Sequence, residues 1–431
     1  MKITIIGAGS SYTPELIEGL IARCDSLRVD EIALVDIESG RYKLEIIEAF
    51  SKRMITRSGL EIRISSGMDR KAALTGSSYV ITQIRVGGLA AREIDEKIPT
   101  EYGVLGQETT GAGGMAKALR TIPVILDIAH EMEALCPQAW LINFTNPSGI
   151  VTEAVHKYSD IHCLGLCNAP MNMQRTLAAN LKLGPEDVAV KYIGLNHLSW
   201  ISRIWVRGQD LTDELFAQQN FIDQVASILG DEPVNKKIVS GNKLIPSYYL
   251  KYFYHPARQI RDDKQALADG SGTRAVQVEH VEKELFELYA LETTDTKPEQ
   301  LSKRGGAWYS EAALSLIESL ESTTGGMHIV NVLNQGAISD LPTACVVETN
   351  CFVDRSGVRP LAAGALPAEI SGFVHTIKGY EQLVIEAAVR GSRDHALAAM
   401  LLNPLIADAD IAQPLLDALL EAHKLYLPAF F

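Results

Sequence analysis

This chain has few of the features that mark a stapled, anchored or nucleic-acid-binding protein. It has six Cys in 431 residues, none spaced as Cys-x-x-Cys. Disulfide frameworks belong to short, cysteine-dense chains, so reduced thiols and a cytoplasmic setting are expected. No apolar run reaches the ~18 residues of a membrane span, and no membrane association is expected. The apolar start at Met1–Ile6 has no small-residue cleavage site after it, so it reads as a strand and not as a signal peptide. Positive charge is also short: 40 Lys and Arg stand against 53 Asp and Glu, a formal net charge of -13. Binding to a nucleic-acid backbone needs clustered cations and is not expected, although one or two Arg in a cleft could still hold a small phosphate. The 33 Gly follow no collagen period, and no internal repeat is evident. A 47% hydrophobic content supports a large core, and at roughly 150 residues per domain the length suggests two or three lobes.

The first 165 residues alternate strand and helix patterns. Short apolar runs at 2–7, 32–36, 79–84 and 139–144, with an alternating one at 62–64, read as strands. Residues 14–23, 39–57 and 124–135 carry helical spacing. This order predicts a parallel sheet covered on both faces. The second half, 166–431, reads as a mixed, helix-rich α/β lobe. It has β-rich runs at 188–207, strands at 329–333 and 345–350, and helices at 276–292, 307–322 and 369–405. Residues 228–245 and 261–275 read as loops. The apolar, acidic late helices suggest a homodimer or homotetramer.

Gly7-Ala8-Gly9 directly follows the first strand and precedes a helix, and Asp36 ends the second strand. Such a turn lets the backbone approach a pyrophosphate, and an acid at that distance suits the ribose of NAD. Tyr12 stands where a third Gly is usual, and a purely structural turn is the alternative. Arg85-Val86-Gly87-Gly88 follows another strand, where Arg85 either grips a phosphate or faces solvent. The polar, glycine-dense stretch 106–114 reads as a cleft loop. Cys167-Asn168 and Asn196-His197 each sit at the end of an apolar strand, placed for ligands; taken singly, each is also compatible with an ordinary buried thiol or histidine. Cys163 with Cys167 and His162 fits no tetrahedral zinc pattern.

Taken in order, these segments resemble the NAD- and divalent-metal-dependent glycosidases of glycoside hydrolase family 4, most closely the branch acting on 6-phospho-β-glucosides. The segments are 7–15, 85–88, 106–114, Asn143-Phe144-Thr145-Asn146-Pro147, 167–168, 194–197, Pro246-Ser247-Tyr248-Tyr249-Leu250, 304–306 with 309–311, and 331–334. The resemblance implies a Rossmann-like NAD-binding domain over 1–165 and a substrate- and metal-binding domain over 166–431. It implies Cys167 and His197 as ligands of Mn2+, or of another divalent cation, and Tyr249 as the catalytic base. Gly7, Gly9, Ser10 and Asp36 would serve the cofactor. Arg85, Asn146, Asn168 and Arg304 would serve a phosphorylated disaccharide or β-glucoside. The implied chemistry is oxidation at sugar C3, deprotonation at C2, elimination at C1, water addition and re-reduction, unlike the two-carboxylate scheme of most glycosidases.

Relatives cutting α-linked 6-phosphoglucosides tend to carry Asp after the Cys. This chain has Asn168, and an amide cannot serve as general acid. The alternatives are an α-specific or unphosphorylated-sugar glycosidase of the same family, and an NAD-dependent 2-hydroxyacid dehydrogenase.

Overall fold

Strand-forming runs and glycine or acidic stops recur through the first half, and the chain folds accordingly. The computed structural model describes residues 1–230, 232–304 and 308–431. Gly305 and Gly306 of the family-like segment therefore lie outside the described residues. Thirteen strands are described: β1 (Lys2–Ile6), β2 (Glu31–Val35), β3 (Arg63–Gly67), β4 (Tyr79–Thr82), β5 (Trp140–Asn143), β6 (Cys163–Gly165), β7 (Val188–Leu195), β8 (Leu198–Val206), β9 (Gln209–Asp210), β10 (Ile245–Pro246), β11 (Gly326–Leu333), β12 (Val346–Asp354) and β13 (Gly357–Pro360).

Nine of them form one sheet in the order β13-β12-β11-β6-β5-β4-β1-β2-β3. The stretch from β6 to β3 is parallel, as the alternation of strand and helix predicts. β11 joins β6 antiparallel, placing Asn331 opposite Gly165, so strands from the second half extend the first-half sheet. A smaller antiparallel sheet contains β10, β8 and β7, with β9 on β8. Successive side chains of the parallel strands face opposite sides. Ile3, Ile5, Ile32, Leu34, Ile81 and Ile142 pack under the helices Thr13–Ala22, Arg41–Ser58 and Tyr309–Glu321. Ile6, Val35, Val80 and Leu141 face the other way, toward Gly111–Leu135 and Ser148–Tyr158. Ile81 is completely enclosed, so truncating it to Ala should cost about 2–5 kcal/mol.

Several expectations need correction. The stretch 228–245, expected as a loop, contains the helix Pro233–Asn242, and 261–275 overlaps the C-terminal part of the helix Pro256–Ala268. Both begin at Pro, which fits a first helical turn, and both are polar because they lie on the surface. The helix expected over 124–135 starts at Gly111, so the glycine-dense stretch 106–114 is a loop only to Thr110. The run 369–405 is two helices, Ala368–Arg390 and Arg393–Leu402, broken at Gly391 in the left-handed region.

The strand order reverses direction at β1: β2 and β3 lie to one side, β4, β5 and β6 to the other. Open sheets of this kind hold ligands outside the carboxyl ends of the strands at that point. The loops emerging there carry Gly7–Ser10, Asp36, Gln83–Arg85, Phe144–Asn146 and Leu166–Asn168.

Candidate active site

The turn after β1 has the form a dinucleotide requires. The amides of Gly7 and Ala8 both donate to the Val35 carbonyl, each at 2.9 Å, which bends the chain sharply with Gly7 at φ +82°. The Gly9 amide donates to Asp36 Oδ2 at 2.7 Å and the Ile37 amide to Oδ1 at 2.8 Å. A Cβ at Gly9 would lie 2.8 Å from that carboxylate, so any side chain would close the cradle. Ser10 Oγ accepts from the Tyr12 amide at 3.3 Å, just before the helix begins. The Tyr12 ring stacks on Tyr309 at 5.1 Å and lies 4.3 Å from the Arg304 guanidinium. Arg304 donates to Glu282 Oε1 at 3.0 Å. Burial opposes the Glu282 charge, but Arg304 and Lys43 outweigh it and hold the carboxyl at about 2. Arg304 is thus placed beside the helix that follows the Gly7–Ser10 turn.

Cys167 and His197 come together from different sheets. Cys167 follows β6, and His197 occupies the turn between β7 and β8 with φ +64°. Cys167 Sγ and His197 Nε2 are 3.5 Å apart, and His197 Nδ1 lies 3.1 Å from Thr109 Oγ1. The Thr109 contact fixes the ring so that its other nitrogen faces the sulfur. Burial pushes the His197 imidazole down to about 3, leaving it neutral and able to coordinate. Burial, then the Glu348 charge, pushes the Cys167 thiol up to about 12. A cation taken here must therefore displace the thiol proton. Among the described residues no group of three or more His, Cys, Asp or Glu side chains is arranged for a metal. The pair supplies two donors and leaves the rest of a coordination shell to oxygen ligands.

The Tyr249 ring lies flat against His197, with centroids 3.5 Å apart and planes 12° from parallel. Burial, with Tyr248 and Cys167 adding, holds its hydroxyl well above the ordinary tyrosine value. Tyr248 is 4.6 Å from Tyr249, ring to ring. On the far side of Thr109, Glu108 gathers three cations. It is paired with Arg85, lies 2.8 Å from Lys117 Nζ, and meets Arg92 Nη1 at 3.1 Å. Burial opposes its charge, but the three cations hold the carboxyl well below the usual range. Burial, helped by Arg85, brings Lys117 down to about 7. Asn146 follows β5 on the same edge, and its Oδ1 is enclosed without a hydrogen-bond partner. Asn168 is the residue before the helix Ala169–Asn180, half-buried beside Cys167.

The sequence model described as family 4 glycosyl hydrolase matches residues 2–183, and that of its C-terminal domain matches 192–406. This chain belongs to glycoside hydrolase family 4. A probable 6-phospho-β-glucosidase of Bacillus subtilis is 44% identical over all of this chain and 98% of its own length. The 6-phospho-β-glucosidase of Escherichia coli is 39% identical over all of this chain and 97% of its length. The Thermotoga maritima 6-phospho-β-glucosidase, solved with NAD and glucose-6-phosphate, superposes with a TM-score of 0.91 at 38% identity over 99% of both chains. A second structure of that enzyme contains manganese, NAD+ and glucose-6-phosphate, with a TM-score of 0.90 at 38% identity and 99% coverage of both chains. A Plasmodium falciparum malate dehydrogenase shares the fold at 13% identity and a TM-score of 0.56, covering 90% of this chain and 98% of its own. The Rossmann-like α/β fold expected from the sequence is therefore present in this family-4 chain.

The family-4 segments had pointed to Cys167, His197 and Tyr249, and the fold brings these three together. Sequence reasoning did not single out Glu108, Arg92, Lys117, Thr109 or Glu348. Glu348 accepts from Asn196 at 2.9 Å and Asn331 at 3.2 Å, and burial pushes it up to about 7 despite those bonds. A Glu within the apolar run Cys345-Val346-Val347-Glu348 was the available signal. For the Glu108 cluster the signals were Arg85 and the cleft stretch 106–114, whereas Arg92 and Lys117 join it from separate helices.

Proposed function

We infer that this chain is a 6-phospho-β-glucosidase, hydrolysing 6-phospho-β-glucosides such as a phosphorylated disaccharide. The route is C3 oxidation, C2 deprotonation, C1 elimination, water addition and C3 re-reduction, with no net redox change. The carrying observation is the stack of Tyr249 on His197 with Cys167 Sγ 3.5 Å from its Nε2, at the sheet edge that also holds the Gly7–Gly9 turn. A neutral imidazole and a thiol make a fitting donor pair for Mn2+ or another divalent cation, and the open glycine turn fits NAD. When bound, NAD supplies a reversible hydride acceptor and the cation polarises the C3 carbonyl, which acidifies the C2 proton.

The chain's own residues then have distinct tasks. Gly7 and Gly9, having no side chains, let the pyrophosphate approach the turn, Ser10 offers its hydroxyl, and Asp36 accepts from the ribose hydroxyls. Cys167 and His197 hold the cation, and Tyr249 takes the C2 proton. Arg85 grips the sugar phosphate, with Asn146, Asn168 and Arg304 as further donors to the bound sugar. Lys117 and Arg92 share Glu108 with Arg85, and Arg92 also pairs with Glu96 at 2.7 Å, so the carboxylates of that side hold Arg85 in place beside the cleft.

A panel of 6-phospho-β-glucosides, assayed with and without NAD+ and Mn2+, tests the reading. Turnover requiring both, without net NADH, is expected. Stoichiometric NADH with no need of Mn2+ would identify a hydroxyacid dehydrogenase instead. Arg85→Lys should raise KM for phosphorylated substrates by about tenfold or more, because the planar fork is lost. An unchanged KM would remove Arg85 from phosphate binding.

The reading extends to assembly and compartment. A homodimer or homotetramer accords with exposed apolar residues such as Met327 and Leu361. Light scattering should give a multiple of 47.0 kDa, and a single-chain mass would refute it. A cytoplasmic location accords with six free cysteines and with a charged sugar phosphate as substrate. Among the described residues no helix is long and apolar enough to cross a membrane.

A further inference from the structure

Behind the Arg85 turn lies a completely buried ion pair that the reaction does not use. Arg120, on the helix Gly111–Leu135, meets Asp95, on the helix Gly88–Glu101, in a two-pronged contact. Nη1 is 2.7 Å from Oδ1 and Nη2 is 2.6 Å from Oδ2. The third member comes from far along the chain: His423, just past the helix Ala409–Ala422, places Nε2 2.8 Å from Asp95 Oδ1. The side chains of all three are 0% exposed. His423 Nε2 is also 3.2 Å from Arg120 Nη1, which is itself a donor. The proton on Nε2 therefore goes to the carboxylate, and Nδ1 is left enclosed without a partner. An arginine and a donating histidine together satisfy a carboxylate that would be costly to bury alone.

This cluster touches both segments that carry the Arg85–Glu108 pair. Arg120 Nε donates to the carbonyl of Val86, the residue after Arg85, at 3.3 Å. A Cβ on Gly113 would lie 2.4 Å from the Asp95 carbonyl and 2.5 Å from that of Gln107, so the backbone beside Glu108 and Thr109 packs directly on the Asp95 helix. The segment after His423 continues onto the same turn. Tyr426 lies over Gly87, 3.0 Å from where a Cβ there would sit. The 423–426 segment thus meets the Arg85–Gly87 turn twice, through the buried ion pair and through the Tyr426 ring.

We propose that His423 is a positioning residue for substrate: with Tyr426 it latches the 423–426 segment onto the Arg85–Gly87 turn and holds Arg85 in its phosphate-binding place. The proposal rests on the reading that Arg85 binds the sugar phosphate. Removing the His423 donor leaves Asp95 under-bonded, and relaxation of the pair shifts Val86 and with it Arg85. A grip on the phosphate, remote from C1–C3, is made alike in the bound substrate and the transition state, and loosening such a contact raises KM and leaves kcat.

The test uses the full chain loaded with NAD+ and Mn2+, and the variants His423→Leu, His423→Gln and Tyr426→Ala. His423→Leu should raise KM for a nitrophenyl 6-phospho-β-glucoside about tenfold, with kcat per folded molecule kept within about twofold and Mn2+ affinity unchanged. His423→Gln keeps an N–H donor and should restore KM to within about threefold of native. Tyr426→Ala uncovers Gly87 without touching the ion pair and should raise KM by about threefold or more, which decides the matter if His423→Leu does not fold. Native KM in His423→Leu, or in Tyr426→Ala where the former is insoluble, would overturn the latch. So would a parallel loss of kcat, KM and Mn2+ affinity, or failure of Gln to outperform Leu. A raised KM in Arg85→Lys with a native KM in the latch variants would sink the latch alone. A native KM in Arg85→Lys would instead remove the reading beneath it.

Discussion

Tyr249→Phe is expected to lose about 10²–10⁴-fold in kcat while KM, Mn2+ affinity and NAD affinity stay near native, the range typical of removing a general base. The substitution is narrow in its effect. Phe keeps the ring stacked on His197 at 3.5 Å and the contact with Tyr248, so the packing of the metal side is preserved. Only the hydroxyl goes. Burial, Tyr248 and Cys167 all favour the protonated hydroxyl, so the phenolate depends on positive charge arriving at the neighbouring Cys167–His197 pair. A kcat loss with unchanged KM is the mark of a group acting in the transition state. Steady-state kinetics beside Mn2+ and NAD titrations will read it, and native turnover in the variant would remove Tyr249 from the role.

The second large effect concerns the donor pair. Cys167→Ala and His197→Ala should each lower Mn2+ affinity by more than about 100-fold, since changes one shell further out already cost about 10–100-fold. Among the described residues no third His, Cys, Asp or Glu is grouped with the pair, so removing either leaves one such donor. Turnover should fall to background in both variants. NAD binding should survive, because the Gly7–Asp36 cradle rests on β1 and β2 and shares no hydrogen bond with the pair. Paramagnetic resonance of free Mn2+ would follow the titration, and unchanged affinity in both variants would overturn the assignment. The same reasoning predicts that confirmed oxidation of the Cys167 sulfur inactivates the enzyme, because a sulfinate no longer offers a thiolate ligand.

These outcomes rest on residues of unequal legibility. The cofactor edge is readable because its strands are continuous apolar runs broken by glycine or Asp36, a pattern that reports burial on both faces. The helices Pro233–Asn242 and Pro256–Ala268 are not, because their sequences are polar on average and bury little; the second buries no residue fully. Gly111–Gly114 misleads for another reason. Its glycines serve close packing of helix on backbone, as at Gly113 against Asp95, while their density in sequence mimics a loop. Arg85 was visible as a strand-end cation, but its partner Glu108 and the flanking Arg92 and Lys117 converge only in three dimensions. His423 and Asp95 are 328 residues apart, and no local pattern links them.

The central claim is that hydrolysis passes through loss of the C2 proton to Tyr249. Hydrolysis of a 6-phospho-β-glucoside by the native, NAD+- and Mn2+-loaded enzyme in heavy water, followed by magnetic resonance of the product, tests it most directly. The account predicts deuterium at C2 of the released glucose-6-phosphate, because the proton removed there exchanges before water adds back. A product carrying only hydrogen at C2 after complete turnover would contradict it.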